Sequence, residues 1–187
     1  YRGDEPSPAR SAVLVRLSHS HVRFGTFQRL AYEGDAPRAR RLVEYCLTEL
    51  YPHIAPGDDP PRALFDAVVA RTVDLLAGWM VAGFVHGVLN SDNMSITGES
   101  FDYGPWRFLP RLDPAFTAAY FDQGGYYAYG RQPGAVLTNL LYLARALAVA
   151  GLHVDADAVA AEVNARFPLA LAARTVARLG LEPQGEG

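Results

Sequence analysis

Residues 60–84 read PPRALFDAVVARTVDLLAGWMVAGF, with apolar side chains recurring at Leu64, Val68, Val69, Val73, Leu76, Trp79, Met80 and Phe84. Spacings of three and four place these on a helix, which two prolines open and Gly83 closes. Its hydrophobic density predicts a central, largely buried helix. A second helix is predicted over DAPRARRLVEYCLTELYP, residues 35–52, with Asp35 as N-cap and Pro37 in the first turn. Leu42, Val43, Cys46, Leu47 and Leu50 fall on one side of it. SAVLVRLS, residues 11–18, alternates and is rich in β-branched residues, which predicts a strand. Val13, Val15 and Leu17 then share one face, and Leu14 and Arg16 share the other, so Arg16 is expected to face a ligand.

Between these segments SHSHVRFGTFQRL, residues 18–30, reads as a loop or a short helix. Residues 94–96 and 101–103 are β-like pieces around TGES, a natural hairpin turn. Residues 113–133 are aromatic and glycine-rich and read as loop. Residues 133–152 and 155–180 are helical by period and propensity, with Asp155 or Asp157 as cap. No internal repeat, low-complexity block or linker interrupts the pattern. The expectation is an α+β, mostly helical fold in one domain over residues 1–187, with residues 1–10 and 181–187 as flexible ends.

Composition adds limits. The chain has 187 residues, half of them hydrophobic, enough for one substantial core in a soluble globular protein. A formal net charge of -3 and a pI near 5.9 leave no basic footprint, so nucleic acid is not an expected partner. The single cysteine, Cys46, excludes an internal disulfide and a cysteine-rich zinc site, and reads as a small buried helix residue. No uninterrupted apolar run reaches the roughly 18 residues of a membrane span, and no signal-like segment opens the chain, so no membrane partner is expected.

The chemistry concentrates in HGVLNSDNMSITGESFDYGPW, residues 86–106. His86 and Asn93 stand at the spacing of the kinase catalytic loop His-Arg-Asp-x-x-x-x-Asn, and Asp102-Tyr103-Gly104 stands where kinases carry Asp-Phe-Gly. Where that loop has its Asp, this chain has Val88, which cannot accept a proton. Asn93 and Asp102 are two oxygen donors of the kind Mg²⁺ takes alongside phosphates and water; the alternative is that they cap turns. Asp92 is the nearest carboxylate to serve as base, or else it fixes the loop through backbone hydrogen bonds. His86 reads as a structural histidine. Arg16 and Arg23 are either solvent-exposed charges or guanidinium forks for phosphate oxygens. Phe121, Tyr126, Tyr127 and Tyr129 read as packing.

These segments resemble the selenoprotein O family, which has a protein-kinase-like fold. The central block HGVLNSDNMSITGESFDYGPWRFL is very similar to that family's signature, and SAVLVRLSHSHVRFGTFQ, QPGAVLTNLLYLARALA and FPLALAARTVARLGL resemble further family segments. The resemblance implies a kinase-like C-lobe whose short hairpin carries the metal-binding motif. It implies ATP bound in an orientation reversed from that in kinases, and transfer of AMP to Ser, Thr or Tyr hydroxyls of proteins with release of pyrophosphate. By motif position, Asp92 matches the catalytic base, Asn93 and Asp102 the ligands of Mg²⁺ or Mn²⁺, and Arg16 and Arg23 the arginines on the nucleotide phosphates. Family members are much longer and carry an N-terminal lobe with a glycine-rich loop, a strand lysine and a helix glutamate. This chain contains no lysine. It is therefore expected to be a fragment or truncated relative without the N-lobe. The alternative is a catalytically inactive nucleotide-binding pseudokinase or scaffold. A phosphotransferase resembling the aminoglycoside kinases ranks below both, because it needs an Asp at Val88. The Ala/Arg-rich, lysine-free composition suggests a bacterial source, hence a cytoplasmic protein.

Overall fold

The computed structural model describes residues 17–102 and 104–181, together with residues 13 and 15. The ends expected to be flexible lie outside these residues, apart from Leu181, as do Arg16 and Tyr103. Five helices carry the described chain: α1 (Phe24–Glu33), α2 (Ala36–Tyr45), α3 (Pro60–Ala82), α4 (Gln132–Leu147) and α5 (Ala156–Arg178). A two-stranded antiparallel sheet pairs β1 (Phe84–Val85) with β2 (Arg107–Phe108). The fold is thus α+β and mostly helical.

Capping follows the sequence signals. The Asp35, Asp59 and Asp155 side chains accept the N–H groups of Arg38, Arg62 and Ala158 at 3.0, 3.0 and 3.3 Å, each satisfying a donor that a helix start leaves unpaired. Asp155 is therefore the cap of α5. The 35–52 helix has an unexpected feature: after Tyr45 it widens into one π-helical turn, Cys46–Leu50, before Tyr51 turns the chain into the core. Cys46 is fully buried there, and burial pushes its thiol up to about 12.

The core is the interior of the helix cluster. Leu64, Val68, Val69, Val73 and Leu76 of α3 are sealed from solvent together with Phe24 and Phe27 of α1 and Val136, Leu140, Leu143 and Leu147 of α4. Burial of each of the larger side chains contributes about 1.5–3 kcal/mol relative to exposure. By length and composition Tyr129–Ala150 could cross a membrane, but its apolar side packs into this core. α5 lies along α3, where Arg174 Nε donates to Asp74 Oδ1 at 2.7 Å.

The loop-or-helix segment 18–30 becomes α1 from Phe24 onward, the helical one of its two readings. Local structure departs from the sequence pattern in two places. The expected strand at residues 11–18 has no strand partner among its described residues, and Val13, Val15 and Leu17 stand 93, 81 and 93 % exposed. The expected hairpin at 94–103 forms single bridges, Met94 with Ser100 and Arg23 with Ser95. The regular sheet lies instead at the base of this segment, where Phe84 packs against Trp106 and Phe108 at 5.9 and 5.7 Å between ring centroids. The aromatic contacts hold two strands of only two residues each.

Candidate nucleotide and metal site

The motif region is built where α1 meets residues 86–102. The segment entering α1 runs beside the first arm of the hairpin: Ile96 N–H donates to Val22 O at 2.9 Å, and Phe24 N–H to Met94 O at 3.0 Å. Arg23 thereby sits opposite Ser95, about 70 positions away along the sequence. The hairpin's other arm is held by the Met94–Ser100 bridge. Asn93 directly precedes one bridge residue and Asp102 stands two beyond the other, so one bridge brings the two expected metal-ligand segments together.

The hairpin is anchored from below. The buried Tyr51 hydroxyl donates to Ile96 O at 2.6 Å. Gly98 turns the hairpin at φ +68, and a Cβ there would stand 2.5 Å from Arg71 Cβ, so the turn sits against α3 at a distance only glycine permits. A largely buried polar chain runs along it: Ser95 Oγ to Thr97 Oγ1 at 2.8 Å, and Thr97 Oγ1 to Glu99 at 2.8 Å.

At the catalytic loop, His86 is fully buried and packs 5.5 Å from the Trp79 ring. Its backbone N–H donates to Gln132 Oε1 at 3.0 Å, while Gln132 Nε2 donates to Phe84 O at 2.9 Å. One buried amide from α4 therefore pairs with the backbone before and after Val85, in the strand that leads into the loop. The structural role expected of His86 fits this geometry. Gln132 went unnoticed in the sequence; a glutamine at a helix start beside proline looks like a surface residue.

Asp92 and Asn93 are resolved by their partners. The turn is fixed by Asn90, whose Oδ1 accepts from Asp92 N–H at 3.0 Å. The Asp92 carboxylate accepts no hydrogen bond among the described residues and is 67 % exposed; its charged neighbour is Arg23 Nη1 at 3.8 Å. Loop capping is thus the work of Asn90, and the Asp92 carboxylate takes no part in it. Asn93 Nδ2 donates to Val88 O at 2.8 Å. A carbonyl can only accept, so the amide is oriented with Oδ1 outward, and Oδ1 has no partner among the described residues. Asp102 is exposed and makes no hydrogen bond or ion pair with the described residues.

Arg23 is incompletely satisfied. Its Nη1 reaches Asp92 O at a long 3.4 Å, its guanidinium lies 5.0 Å from the Phe101 ring, and its Nε is buried without a hydrogen-bond partner. A buried N–H donor left open on a cation fits an anionic oxygen. The donor set also fits a hard divalent cation, with one amide oxygen and one carboxylate oxygen on adjoining segments and no competing partner on either. Among the described residues no cluster of three or more His, Cys, Asp or Glu side chains offers an all-protein metal cage.

Gly25 was also missed. The Asp92 carboxylate rests on its bare backbone: a Cβ at residue 25 would stand 2.1 Å from Asp92 Oδ1. The signal available in the sequence was a glycine in the second position of a helix, where the residue weakens the helix and needs another reason to be there.

A family model described as protein adenylyltransferase SelO matches residues 1–186. A protein nucleotidyltransferase YdiU of Gloeobacter violaceus is 49 % identical over 187 residues, covering 99 % of this chain and 38 % of that protein. Its counterpart in Synechococcus elongatus is 46 % identical over 182 residues, covering 97 % of this chain and 37 % of that protein. That of Cereibacter sphaeroides is 42 % identical over 182 residues, 94 % of this chain and 38 % of the relative. The chain thus spans less than two fifths of the length of these curated bacterial relatives.

Proposed function

The chain belongs to the protein adenylyltransferase SelO family, and from that premise we propose that it carries the catalytic loop and metal site of an enzyme that transfers AMP from ATP to Ser, Thr or Tyr hydroxyls of proteins. Its helical body is read as the C-lobe of a kinase-like fold, with the loop at residues 86–93 following the buried helix α3. The observation that carries the proposal is the Asp92 carboxylate, exposed and free of loop-capping duty, 3.8 Å from the Arg23 guanidinium and next in sequence to an amide oxygen without a partner.

In this reading the acceptor hydroxyl oxygen attacks the α-phosphorus of ATP. A new oxygen–phosphorus bond forms, the bond from the α-phosphorus to the oxygen bridging to the β-phosphorus breaks, and pyrophosphate departs with that electron pair. Asp92 takes the proton from the attacking hydroxyl. Arg23, with Arg16 from the preceding segment, binds phosphate oxygens and stabilises the charge that grows on the leaving pyrophosphate. Asn93 and Asp102 would hold Mg²⁺ or Mn²⁺, which when bound neutralises polyphosphate charge. Val88 is then no defect, because the proton acceptor stands four residues further on.

The test is label transfer from α-labelled and γ-labelled ATP by the full-length protein, beside Asp92→Asn and Asp102→Ala. Label on protein from the α-position alone, abolished in both variants, supports the proposal. Nucleotide binding with no transfer to any protein would sink it in favour of a pseudokinase scaffold.

A further inference from the structure

One large cleft is not used by the groups assigned above. It encloses about 750 Å³ between α1 at Gln28, the catalytic loop at Asn90 and Ser91, and the first turns of α4. The Ser91 hydroxyl donates to Gln28 Oε1 across its inner end. That end is therefore formed by the two residues that precede Asp92 in the chain.

The lining is unlike a phosphate site. Its single charged residue is Arg131, whose Nη1 is committed to the carbonyls of Gly124 and Gly125 at 2.9 and 3.1 Å. Apolar surface outweighs polar, and two lining tyrosines, Tyr126 and Tyr142, stand 74 and 50 % exposed. On the α4 wall Asn139 is only 5 % exposed, and its Nδ2 donates to Leu89 O at 2.7 Å and Ala135 O at 2.9 Å. Its Oδ1 has no partner among the described residues. On a residue that lines the cleft, an acceptor open to it can take an N–H from an occupant. Rigid tyrosines with an apolar body and a polar tip suit a polypeptide at low entropic cost.

We infer, building on the transferase reading, that this cleft seats the acceptor protein as an extended segment. Uncharged side chains flanking the acceptor hydroxyl pack on Tyr126 and Tyr142, and a backbone N–H of the segment donates to Asn139 Oδ1. The hydroxyl is thereby delivered past Ser91 to Asp92. Basic flanks are disfavoured, because the one charged residue of the lining, Arg131, is a cation without an acidic partner among the described residues.

Gly134 supplies the test, because it is exposed on α4 and a Cβ added there meets nothing within 4 Å. Gly134→Phe fills the cleft while replacing a poor helix former, and Thr138→Trp fills it one turn further on. In the full-length protein, α-labelled ATP is offered with a peptide pool carrying a central Ser, Thr or Tyr and varied flanks. The expected result is wild-type preference for uncharged over basic flanks and, in both variants, an acceptor KM raised roughly tenfold or more with ATP affinity unchanged. Wild-type transfer with an unaltered acceptor KM in both variants overturns the inference alone, as does a loss of ATP affinity in both. Wild-type protein that labels no peptide and no protein overturns the transferase reading and the inference together.

Discussion

The carboxylate of Asp92 lies directly on the backbone of Gly25, so close that a single added methyl group at residue 25 would stand 2.1 Å from Asp92 Oδ1. The N-terminal turn of α1 therefore acts as the seat of the expected base. Gly25→Ala should leave the fold intact, since alanine favours a helix by up to about 1 kcal/mol over glycine. It must displace the Asp92 side chain, and a displacement near 1 Å costs roughly 10²-fold in rate. Melting temperature and label-transfer rate, measured on the same preparation, separate the two effects; an unchanged rate would show that the seat does not matter.

Asp92→Asn keeps the shape and removes the proton acceptor, and its kcat is expected to fall by about 10²–10⁴-fold with ATP binding retained. For Arg23, the expectation is that Arg23→Lys fails to rescue what Arg23→Ala loses. Lysine offers a point charge where the Arg23 fork reaches Asp92 O with one nitrogen, lies over the Phe101 ring and keeps further donors open for a phosphate oxygen. Steady-state kinetics with both substrates varied reads this, and a fully active lysine variant would rule out the fork.

Asn93→Ala and Asp102→Ala should each weaken divalent-cation binding without unfolding the chain, because neither side chain is part of the core. Mn²⁺ binding followed by electron paramagnetic resonance, with ATP present, checks this directly. Asn93→Asp is the informative companion. It gives up the hydrogen bond to Val88 O but restores an oxygen ligand, so it should bind metal better than the alanine variant.

The support under the hairpin is testable by stability alone. Tyr51→Phe leaves the Ile96 carbonyl without its 2.6 Å donor in a buried place, at a cost of about 1–3 kcal/mol. Gly98→Ala forces a side chain into a left-handed turn that already touches Arg71, and should cost on the order of 1–3 kcal/mol. Urea midpoints decide both, and a neutral Gly98→Ala would mean that the turn can move away from α3.

Alkaline pH should unfold the protein by a defined route. Burial raises the Cys46 thiol from 9.0 to about 12 and the Tyr51 hydroxyl from 10.0 to about 12. In both cases the folded state holds the proton more tightly than the unfolded chain does. Their contribution to stability is therefore fully present below about pH 9 and is lost as pH rises toward 12. Chemical denaturation at a series of pH values should show stability falling across that window, less steeply in Cys46→Ser. Consistent with its burial, Cys46 should react with a thiol reagent only upon unfolding.

Much of this architecture could be read along the chain, because it depends on neighbours in sequence. Asp35, Asp59 and Asp155 cap helices a few residues away, and the three- and four-residue apolar spacing of α3 says which side must be buried. The candidate residues Asp92, Asn93 and Asp102 were visible for a similar reason, as a motif of fixed spacing. Pairings between distant segments were not visible. The strands β1 and β2 are two residues long and exist through the packing of Phe84 with Trp106 and Phe108, and no period of two can signal so short a run. Gln132 reaches from α4 to the backbone on either side of Val85, and Gly25 makes room for Asp92, across 46 and 67 positions of sequence. The sequence by itself determined the helices, their buried faces and the chemical types at the catalytic loop, since local backbone preference and apolar period decide those. Only the tertiary structure decided which of those polar atoms remain unpaired, because a hydrogen bond or a close contact depends on where folding brings two distant segments.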